Sequence, residues 1–181
     1  MTVTIADYNP EWPKMYEHEV ASVMKAFPIN DCLVEHVGST SIKDLKSKPV
    51  IDIMVGVPAL PDDITPIADY LKPFGYEYME RYNKLIPERR FFQKEQNGVR
   101  THQIHLTSFH SDFWEKLLFF RNQLRENPSL REGYEKVKLE LAKRSWDSVN
   151  DYASAKDEFV ESVDQKRKAL KLKMQSTSAG R

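Results

Sequence analysis

The segment from Glu35 to Val57, EHVGSTSIKDLKSKPVIDIMVGV, combines residue types that bind phosphate and metal ions. A glycine and three hydroxyl residues stand between two apolar runs, and Asp52 interrupts the second run. Backbone N–H groups and hydroxyls at the start of a short helix bind phosphate readily. An aspartate on the next strand could hold a cation that bridges to that phosphate, because Mg²⁺ prefers one or two carboxylates together with substrate oxygens. The candidate phosphate loop is Gly38, Ser39, Thr40 and Ser41.

Both features also have purely structural explanations. A hydroxyl of the loop could simply cap the helix, with Ser41 and Asp44 forming an imperfect capping box. Asp52 could be a paired structural carboxylate, but a charge inside an apolar strand is unfavourable without a strong partner. Buried charges tend to be paired or to bind metals, so we favour a functional role for Asp52.

The patterns around this segment predict a mixed α/β fold. An amphipathic helix is expected from Asn9 to Phe27, with Asn9 as its N-cap and Pro10 just inside, because apolar residues recur there at helical spacing. Strand-like runs at 32–37 and 49–57 flank the loop. The loop itself could form one short helix. A further helix is expected over 61–70, ended by Pro73, Phe74 and Gly75. Three more strand-like runs then follow, YEYMER, RRFFQK and VRTHQIHLTS, with a hairpin signal at Asn97-Gly98.

After His110 the chain becomes helical in character. Apolar residues recur at helical intervals from Phe113 to Val163, and the Asn127-Pro128 pair marks the first break. We predict a single domain over residues 1–174, with its helical C-terminal part from about residue 111. A flexible tail is expected over residues 175–181.

Composition narrows the class of protein. With 181 residues, 40% hydrophobic and 30% charged, the chain is typical of one soluble globular domain. Lys plus Arg equals Asp plus Glu at 27 each, so there is no strong nucleic-acid signal. The sequence shows neither a membrane span nor a signal sequence, and a cytoplasmic location is the default expectation. Cys32 is the single cysteine, which excludes an intramolecular disulfide and a Cys-rich zinc site.

Three histidines and one glutamate are further candidates for chemistry. His102 and His105 lie at odd spacing on a predicted strand, so they face opposite sides of the sheet. We prefer His105 as a metal ligand or acid–base group beside Asp52, with a packed histidine as the open alternative. His36 directly precedes the loop and either contacts the ligand or fixes the turn, whereas Glu35 is a candidate second carboxylate.

Basic residues near the loop are candidate phosphate ligands. Arg90 and Arg100 lie on the predicted hairpin and could hold phosphate in the fork of the guanidinium, although hairpin cations are more often solvated. Lys48 could neutralise phosphate at the strand entrance or be an ordinary surface lysine. A charged set in the C-terminal third is predicted to form a solvated face; it comprises Lys136, Lys138, Lys143 and Arg144.

The loop and the strand after it resemble the signature of the GrpB family, in the segment HVGSTSIKDLKSKPVIDIMVGV. These proteins belong to the nucleotidyltransferase superfamily, related in fold to the catalytic domain of polymerase beta. The likeness runs along nearly the whole chain, through YNPEWPKMYEHE, RRFF, RTHQIHL, FRNQLRENPSLREGYEKVKLELA and DYASAKDEFVESV. The resemblance implies a nucleotidyltransferase-like mixed sheet flanked by helices, with a helical C-terminal extension.

The superfamily pattern also implies site residues. A Gly-Ser pair opens a short helix, the following strand carries two acids at alternate positions, and a later strand carries a third. Gly38 and Ser39 match the pair, and Asp52 matches the first acid. The residue that would share its strand face is Met54, so two-metal catalysis through two acids on this strand is not expected. Lys156 resembles a family position that could approach the pocket.

We therefore expect binding of a nucleotide or another phosphorylated small molecule, with Mg²⁺ or Mn²⁺ at Asp52 and with Glu35 or His105 completing the metal site. If the protein is an enzyme, the reaction would be nucleotidyl or phosphoryl transfer. Met54 favours the alternative of a catalytically degenerate binding module, a sensor or a scaffold. A hydrolase with a metal on the histidines ranks lower, because no close ligand spacing such as HExxH occurs.

Overall fold

A computed structural model describes residues 2–147 and 149–178, and its centre is one five-stranded mixed sheet. The strands follow the order β1-β2-β5-β4-β3; β2 and β5 are parallel, and the other neighbouring pairs are antiparallel. With helices flanking the sheet, the expected mixed α/β architecture is confirmed. The strand bounds are β1 Leu33–Val37, β2 Ile51–Val57, β3 Tyr76–Tyr78, β4 Arg89–Gln96 and β5 Val99–Ser108.

The described residues form six α-helices, four of them in the C-terminal third. Asn127 ends one of these and caps the next, since its side chain accepts the N–H of Leu130 at 3.1 Å. The last helix includes residues 175–178 of the predicted tail, and residues 179–181 lie outside the described part. No helix in the described ranges is long and apolar enough to span a membrane. The helices are α1 Trp12–Val23, α2 Thr65–Leu71, α3 Asp112–Glu126, α4 Pro128–Ala142, α5 Val149–Ser154 and α6 Asp157–Ser178.

Helix α1 begins at Trp12, so the prediction that it begins at the Asn9-Pro10 pair was wrong. The Asn9 side chain accepts the N–H of Glu11 at 3.0 Å, and its carbonyl accepts the N–H of Trp12 at 3.1 Å. These bonds form a turn, which is the competing structure that asparagine favours. The first proline inside the helix is therefore Pro13.

The two faces of β2 pack against different helices because successive side chains alternate. Ile51, Ile53 and Val55 belong to a buried cluster with residues of α1 and α2. Met54 points the other way and packs with Trp114 of α3. Asp52 shares the face of Met54, so the candidate site lies between the sheet and the C-terminal helices.

The β4–β5 hairpin carries a register shift that changes which side chains reach that face. Asn97 and Gly98 both have positive φ, 52° and 74°, as a two-residue type I′ turn requires. The register then shifts between Lys94 and Glu95, a β-bulge. Phe91 consequently pairs with His105, and Arg89, two residues before Phe91, lies on the same face as His105.

Candidate functional site

The Gly38 turn and the Asp52 side chain fit together directly. Gly38 has φ 69°, and a Cβ atom at this position would lie 2.2 Å from Asp52 Oδ2. A short 3₁₀ helix, Ser39–Ser41, follows the glycine, and the Ser41 hydroxyl donates to the Gly38 carbonyl at 2.7 Å. Glycine is needed here because the carboxylate of the next strand occupies the space of a side chain.

A hydrogen-bonded chain links Asp52 to His105 and Arg89. Arg89 Nη1 lies 3.3 Å from His105 Nδ1, and His105 Nε2 lies 3.3 Å from Asp52 Oδ1. A guanidinium can only donate, so Nδ1 accepts and the imidazole proton is on Nε2, which donates to Asp52. Burial lowers the pKa of His105, so the ring is neutral. His105 therefore orients the carboxylate, with both of its nitrogens engaged.

A cavity of about 190 Å³ lies beside Asp52, and we call it the small cavity. It is lined by three lysines and a single carboxylate among the described residues. The lysines come from distant parts of the chain: Lys48 precedes β2, Lys138 lies on α4 and Lys156 follows α5. The surplus of positive charge makes this cavity suited to an anion. The lining residues are Ser39, Lys48, Val50, Asp52, Gln103, Lys138, Tyr152, Ala153 and Lys156.

Lys138 is deeply buried, and Lys156 is half-buried. Lys138 is only 2% exposed, and its ammonium donates to the Lys46 carbonyl and, at 3.4 Å, to the Ser47 hydroxyl. Burial lowers the pKa of Lys138 to about 7 and that of Lys156 to about 8. The prediction that Lys138 belongs to a solvated face was therefore wrong, whereas Lys136, Lys143 and Arg144 are exposed as expected.

A second cavity, of about 480 Å³, adjoins the first, and we call it the large cavity. The two share Gln103 and Ala153, and we call them together the cleft. Asp52 lines the small cavity and its partner His105 lines the large one, so their hydrogen bond marks the boundary. The large cavity is lined by Tyr82, Leu85, Ile86, Arg89, Phe91, Arg100, Gln103, His105, Ala153, Ser154 and Asp157.

His36 and Thr40 hold the loop in place from behind. His36 stacks on Tyr16 with ring centroids 4.5 Å apart, and its Nε2 lies 3.2 Å from Thr40 Oγ1. The Thr40 hydroxyl donates to the Val50 carbonyl at 3.0 Å. Both side chains are buried, and burial lowers the pKa of His36 to about 4. The structure gives these two predicted ligands internal partners and does not bring them to either cavity of the cleft.

Glu35 and Arg90 also lie outside the cleft. The carboxylate of Glu35 accepts a hydrogen bond from Arg121 Nη1 at 2.6 Å, and the same nitrogen donates to the His36 carbonyl at 3.0 Å. Arg90 donates to the Pro87 carbonyl at 2.9 Å. Of the predicted site residues, the structure gathers at the cleft Gly38, Ser39, Lys48, Asp52, Arg100 and His105, and Ser41 supports the Gly38 turn.

The donor atoms of the cleft do not fit a metal ion held by the protein alone. Within residues 2–147 and 149–178, no group of three His, Cys, Asp or Glu side chains is arranged to hold one. Met54 is 0% exposed where a second acid would stand, and Glu35 is paired with Arg121. His36 and His102 share the sheet face of Ile53 and Ile51, opposite to His105, so the three histidines cannot bind one metal.

Sequence reasoning missed two basic residues of the cleft, Arg89 and Lys138. Arg89 was missed because the β-bulge shifts the strand register by one residue. An uninterrupted ladder from the hairpin turn would pair Arg90 with His105. The burial of Lys138 could have been predicted from its helical spacing. It lies four residues after Tyr134 and three before Leu141, both buried, so it falls on the buried stripe of α4.

Fold and site together define an α/β protein whose mixed sheet and C-terminal helices enclose a cationic cleft, with Asp52 in its small cavity. The sequence model of the family described as GrpB protein matches residues 2–166, and the chain belongs to that family.

Individual relatives and solved structures agree with this assignment. The chain is 33% identical over 162 residues to UPF0157 protein BH1888 of Halalkalibacterium halodurans, across 90% of this chain and 80% of the relative. The crystal structure of GrpB from Enterococcus faecalis superposes with a TM-score of 0.76 at 33% identity, covering 90% of this chain and 96% of that one. The Cid1 poly(U) polymerase superposes at a TM-score of 0.49 with 12% identity, over 77% of this chain and 42% of that one.

Proposed function

We propose that the protein binds a nucleotide or another phosphorylated small molecule in the cleft, with a phosphate in the small cavity. The observation that carries this proposal is the lining of three lysines against one carboxylate. A phosphate monoester has between one and a half and two negative charges near neutral pH, about what this surplus neutralises. Its binding would also relieve the repulsion among the lysines.

Five residues of the small cavity have distinct parts in this proposal. Lys48 and Lys156 donate to phosphate oxygens as compact point charges. Lys138, held by the Lys46 carbonyl, adds a positive charge behind them when it is protonated. Ser39 supplies a hydroxyl at the start of the short helix. Asp52, oriented by His105, repels the phosphate locally and so limits the positions that it can take.

Nucleotidyl or phosphoryl transfer with Mg²⁺ or Mn²⁺ is a second candidate, and Asp52 is the observation that favours it. Mg²⁺ is often held by one or two carboxylates together with substrate phosphates. Met54 argues the other way, because the strand then offers one carboxylate where two-metal catalysis needs more. We therefore place the binding module, a sensor or scaffold, ahead of the enzyme.

Calorimetric titration of a nucleotide panel, with and without Mg²⁺ or Mn²⁺, tests the proposal. Wild type is expected to bind without metal, and Asp52→Asn is expected to retain binding. Lys156→Met should weaken binding about 10- to 100-fold, since it removes one charged hydrogen bond to phosphate. Lys143→Met is the matched control, because Lys143 is 69% exposed and forms its ion pair with the exposed Glu140, three residues before it.

Other outcomes of this titration would redirect the proposal. Binding that requires metal and disappears in Asp52→Asn would support the transfer enzyme, and products should then be sought. If no nucleotide of the panel binds under any condition, the proposal that the ligand is a nucleotide would be wrong.

The lowered pKa values of Lys138 and Lys156 predict that the affinity for anions falls as pH rises. In the free protein Lys138 and Lys156 lose their protons around pH 7 and pH 8. We expect sulfate, whose charge is constant over this range, to bind at least about tenfold more weakly at pH 9 than at pH 6.5. Titration of sulfate across that range measures it. An affinity that does not change with pH would contradict the role of both lysines.

Without ligand, the same lysines predict the opposite trend in folding stability. In the unfolded chain their pKa returns to about 10.5, so the unfolded state binds more protons between pH 7 and 10.5. The free energy of unfolding should therefore rise with pH above 7. Urea unfolding at pH 7 and pH 9 measures the change, which should be smaller in Lys138→Met. A free energy of unfolding that falls over this range in wild type and rises in the variant would contradict the assignment.

A further inference from the structure

One wall of the large cavity is largely apolar and aromatic. It comes from a single segment of the chain and includes Tyr82, Leu85, Ile86 and Phe91. Leu85 is 72% exposed, although it is a large aliphatic side chain. A single exposed leucine on an open surface needs no explanation, but this one lies on the wall of a cavity beside other apolar side chains. A ligand in the cavity would therefore remove apolar surface from water at Leu85.

The same wall contains an arginine packed among aromatic rings. The guanidinium carbon of Arg89 lies 4.6 Å from the centre of the Phe91 ring and 5.7 Å from that of the Phe113 ring. The rings of Tyr82 and Phe91 have their centroids 5.7 Å apart. The hydrogen bond between Arg89 Nη1 and His105 Nδ1 holds the guanidinium in place. Aromatic rings prefer offset-stacked or edge-to-face contacts with one another, so a planar ring suits this wall well.

Polar groups line the large cavity from other segments of the chain. Gln103 lies on β5, whereas Ser154 ends α5 and Asp157 begins α6. Asp157 forms no ion pair in the described part of the chain. An aromatic base has apolar faces and carries hydrogen-bond donors and acceptors along its edge, so it matches both kinds of lining. A sugar phosphate would instead place hydroxyl groups against Leu85 and Ile86, which offer them no hydrogen-bond partner.

We propose that the large cavity binds the base of a nucleotide whose phosphate lies in the small cavity, and we call it the base subsite. This inference rests on the proposed function and narrows its ligand from any phosphorylated small molecule to a nucleotide. The two cavities share Gln103 and Ala153, so one molecule can span both. The sugar, which joins base to phosphate, then lies at this boundary, where the Gln103 amide can both donate and accept hydrogen bonds.

NMR titration of the full chain with labelled methyl groups tests the base subsite directly. The methyl signals of Leu85 report the large cavity, and the backbone N–H signal of Ser39 reports the small cavity. The probes are adenosine, guanosine, cytidine and uridine, their 5′-monophosphates, and ribose 5-phosphate, which lacks a base. We expect at least one nucleotide to shift the Leu85 signals saturably through the ring current of its base, and ribose 5-phosphate to shift Ser39 alone. The methyl signals of Leu172, which is 67% exposed on α6, should not move.

Calorimetric titration measures how much the base adds to the affinity. The nucleotide that binds wild type best should bind at least about tenfold more tightly than ribose 5-phosphate, because its base buries apolar surface. Leu85→Ala should weaken nucleotide binding about threefold to tenfold and leave the affinity for ribose 5-phosphate unchanged. Leu172→Ala is the matched control, because Leu172 has a similar exposure and lines neither cavity of the cleft, and it should change neither affinity.

The outcomes separate the base subsite from the proposed function. If ribose 5-phosphate and the nucleotides bind equally well and shift Ser39, and none of them moves Leu85, the base subsite is overturned and the phosphate site stands. If nucleosides without phosphate shift Leu85 and no phosphate compound ever shifts Ser39, the base subsite stands and the proposed phosphate site is overturned. If no probe moves either signal, both proposals are overturned. The wild-type signals give these answers even if Leu85→Ala fails to fold.

Discussion

Met54→Asp is expected to destabilise the fold by at least about 3 kcal/mol rather than to create a second metal ligand. Met54 is 0% exposed and packs with Val37 and Trp114, and the guanidinium of Arg121 is already engaged by Glu35, the cross-strand neighbour of Met54. Burial raises the pKa of such an aspartate, so the loss should be greater at pH 8, where the group must ionise, than at pH 5. Urea unfolding at the two pH values measures it.

Met54→Leu is the matched control, because it changes shape without introducing charge. It should reduce the free energy of unfolding by less than about 1.5 kcal/mol. A Met54→Asp protein that unfolds like wild type and binds Mn²⁺ would show that this strand accepts a second acid. The preference for a binding module over a transfer enzyme would then lose its main support.

Gly38→Ala is expected to lower the free energy of unfolding by about 3 kcal/mol and to abolish anion binding in the small cavity. The backbone has φ 69° and ψ −176°, a region that only glycine adopts without strain. The new methyl group would also lie 2.2 Å from Asp52 Oδ2, so the carboxylate must leave its position beside His105. Chemical unfolding and sulfate titration report the two effects.

Gly98→Ala separates backbone strain from the clash with Asp52. Gly98 also has positive φ, 74°, but a Cβ atom there would meet nothing within 4 Å. It should reduce stability by only about 1 kcal/mol and leave sulfate binding intact. Adding Asp52→Ala to Gly38→Ala should recover part of the lost stability, because it removes the crowded carboxylate. Equal losses in Gly38→Ala and Gly98→Ala would contradict the fit between the turn and Asp52.

Local patterns predicted the strands well because alternation and turn chemistry act over a few residues. The strand Val99–Ser108 and the Asn97-Gly98 hairpin have the bounds that the sequence indicated. Helix starts were less well predicted. Helix α2 begins at Thr65, four residues after the predicted start at Pro61, and Asp63 accepts the Thr65 N–H at 2.9 Å to form the turn before it.

Candidate site residues were predictable where the local sequence around them is unusual. They were not predictable where their role depends on a partner that is distant in the sequence. Gly38 and Asp52 were identified because their types conflict with the surrounding apolar pattern. Glu35 was assigned to a metal, but its partner Arg121 lies 86 residues away on α3. Choosing between a ligand and an ion pair for such a residue requires knowing which helix packs over it, which no local pattern records.

The separate origins of the three lysines have a thermodynamic consequence. In the proposed function, a phosphate held by Lys48, Lys138 and Lys156 would join a loop of the sheet to two parts of the C-terminal helical region and so act as a reversible cross-link. A ligand that binds only the folded state stabilises it by about 2.7 kcal/mol at a concentration of 100 times its Kd. The melting temperature is therefore a screen for the natural ligand. Because Lys138 and Lys156 are more fully protonated at pH 6.5 than at pH 8, that screen should be more sensitive at the lower of these two pH values.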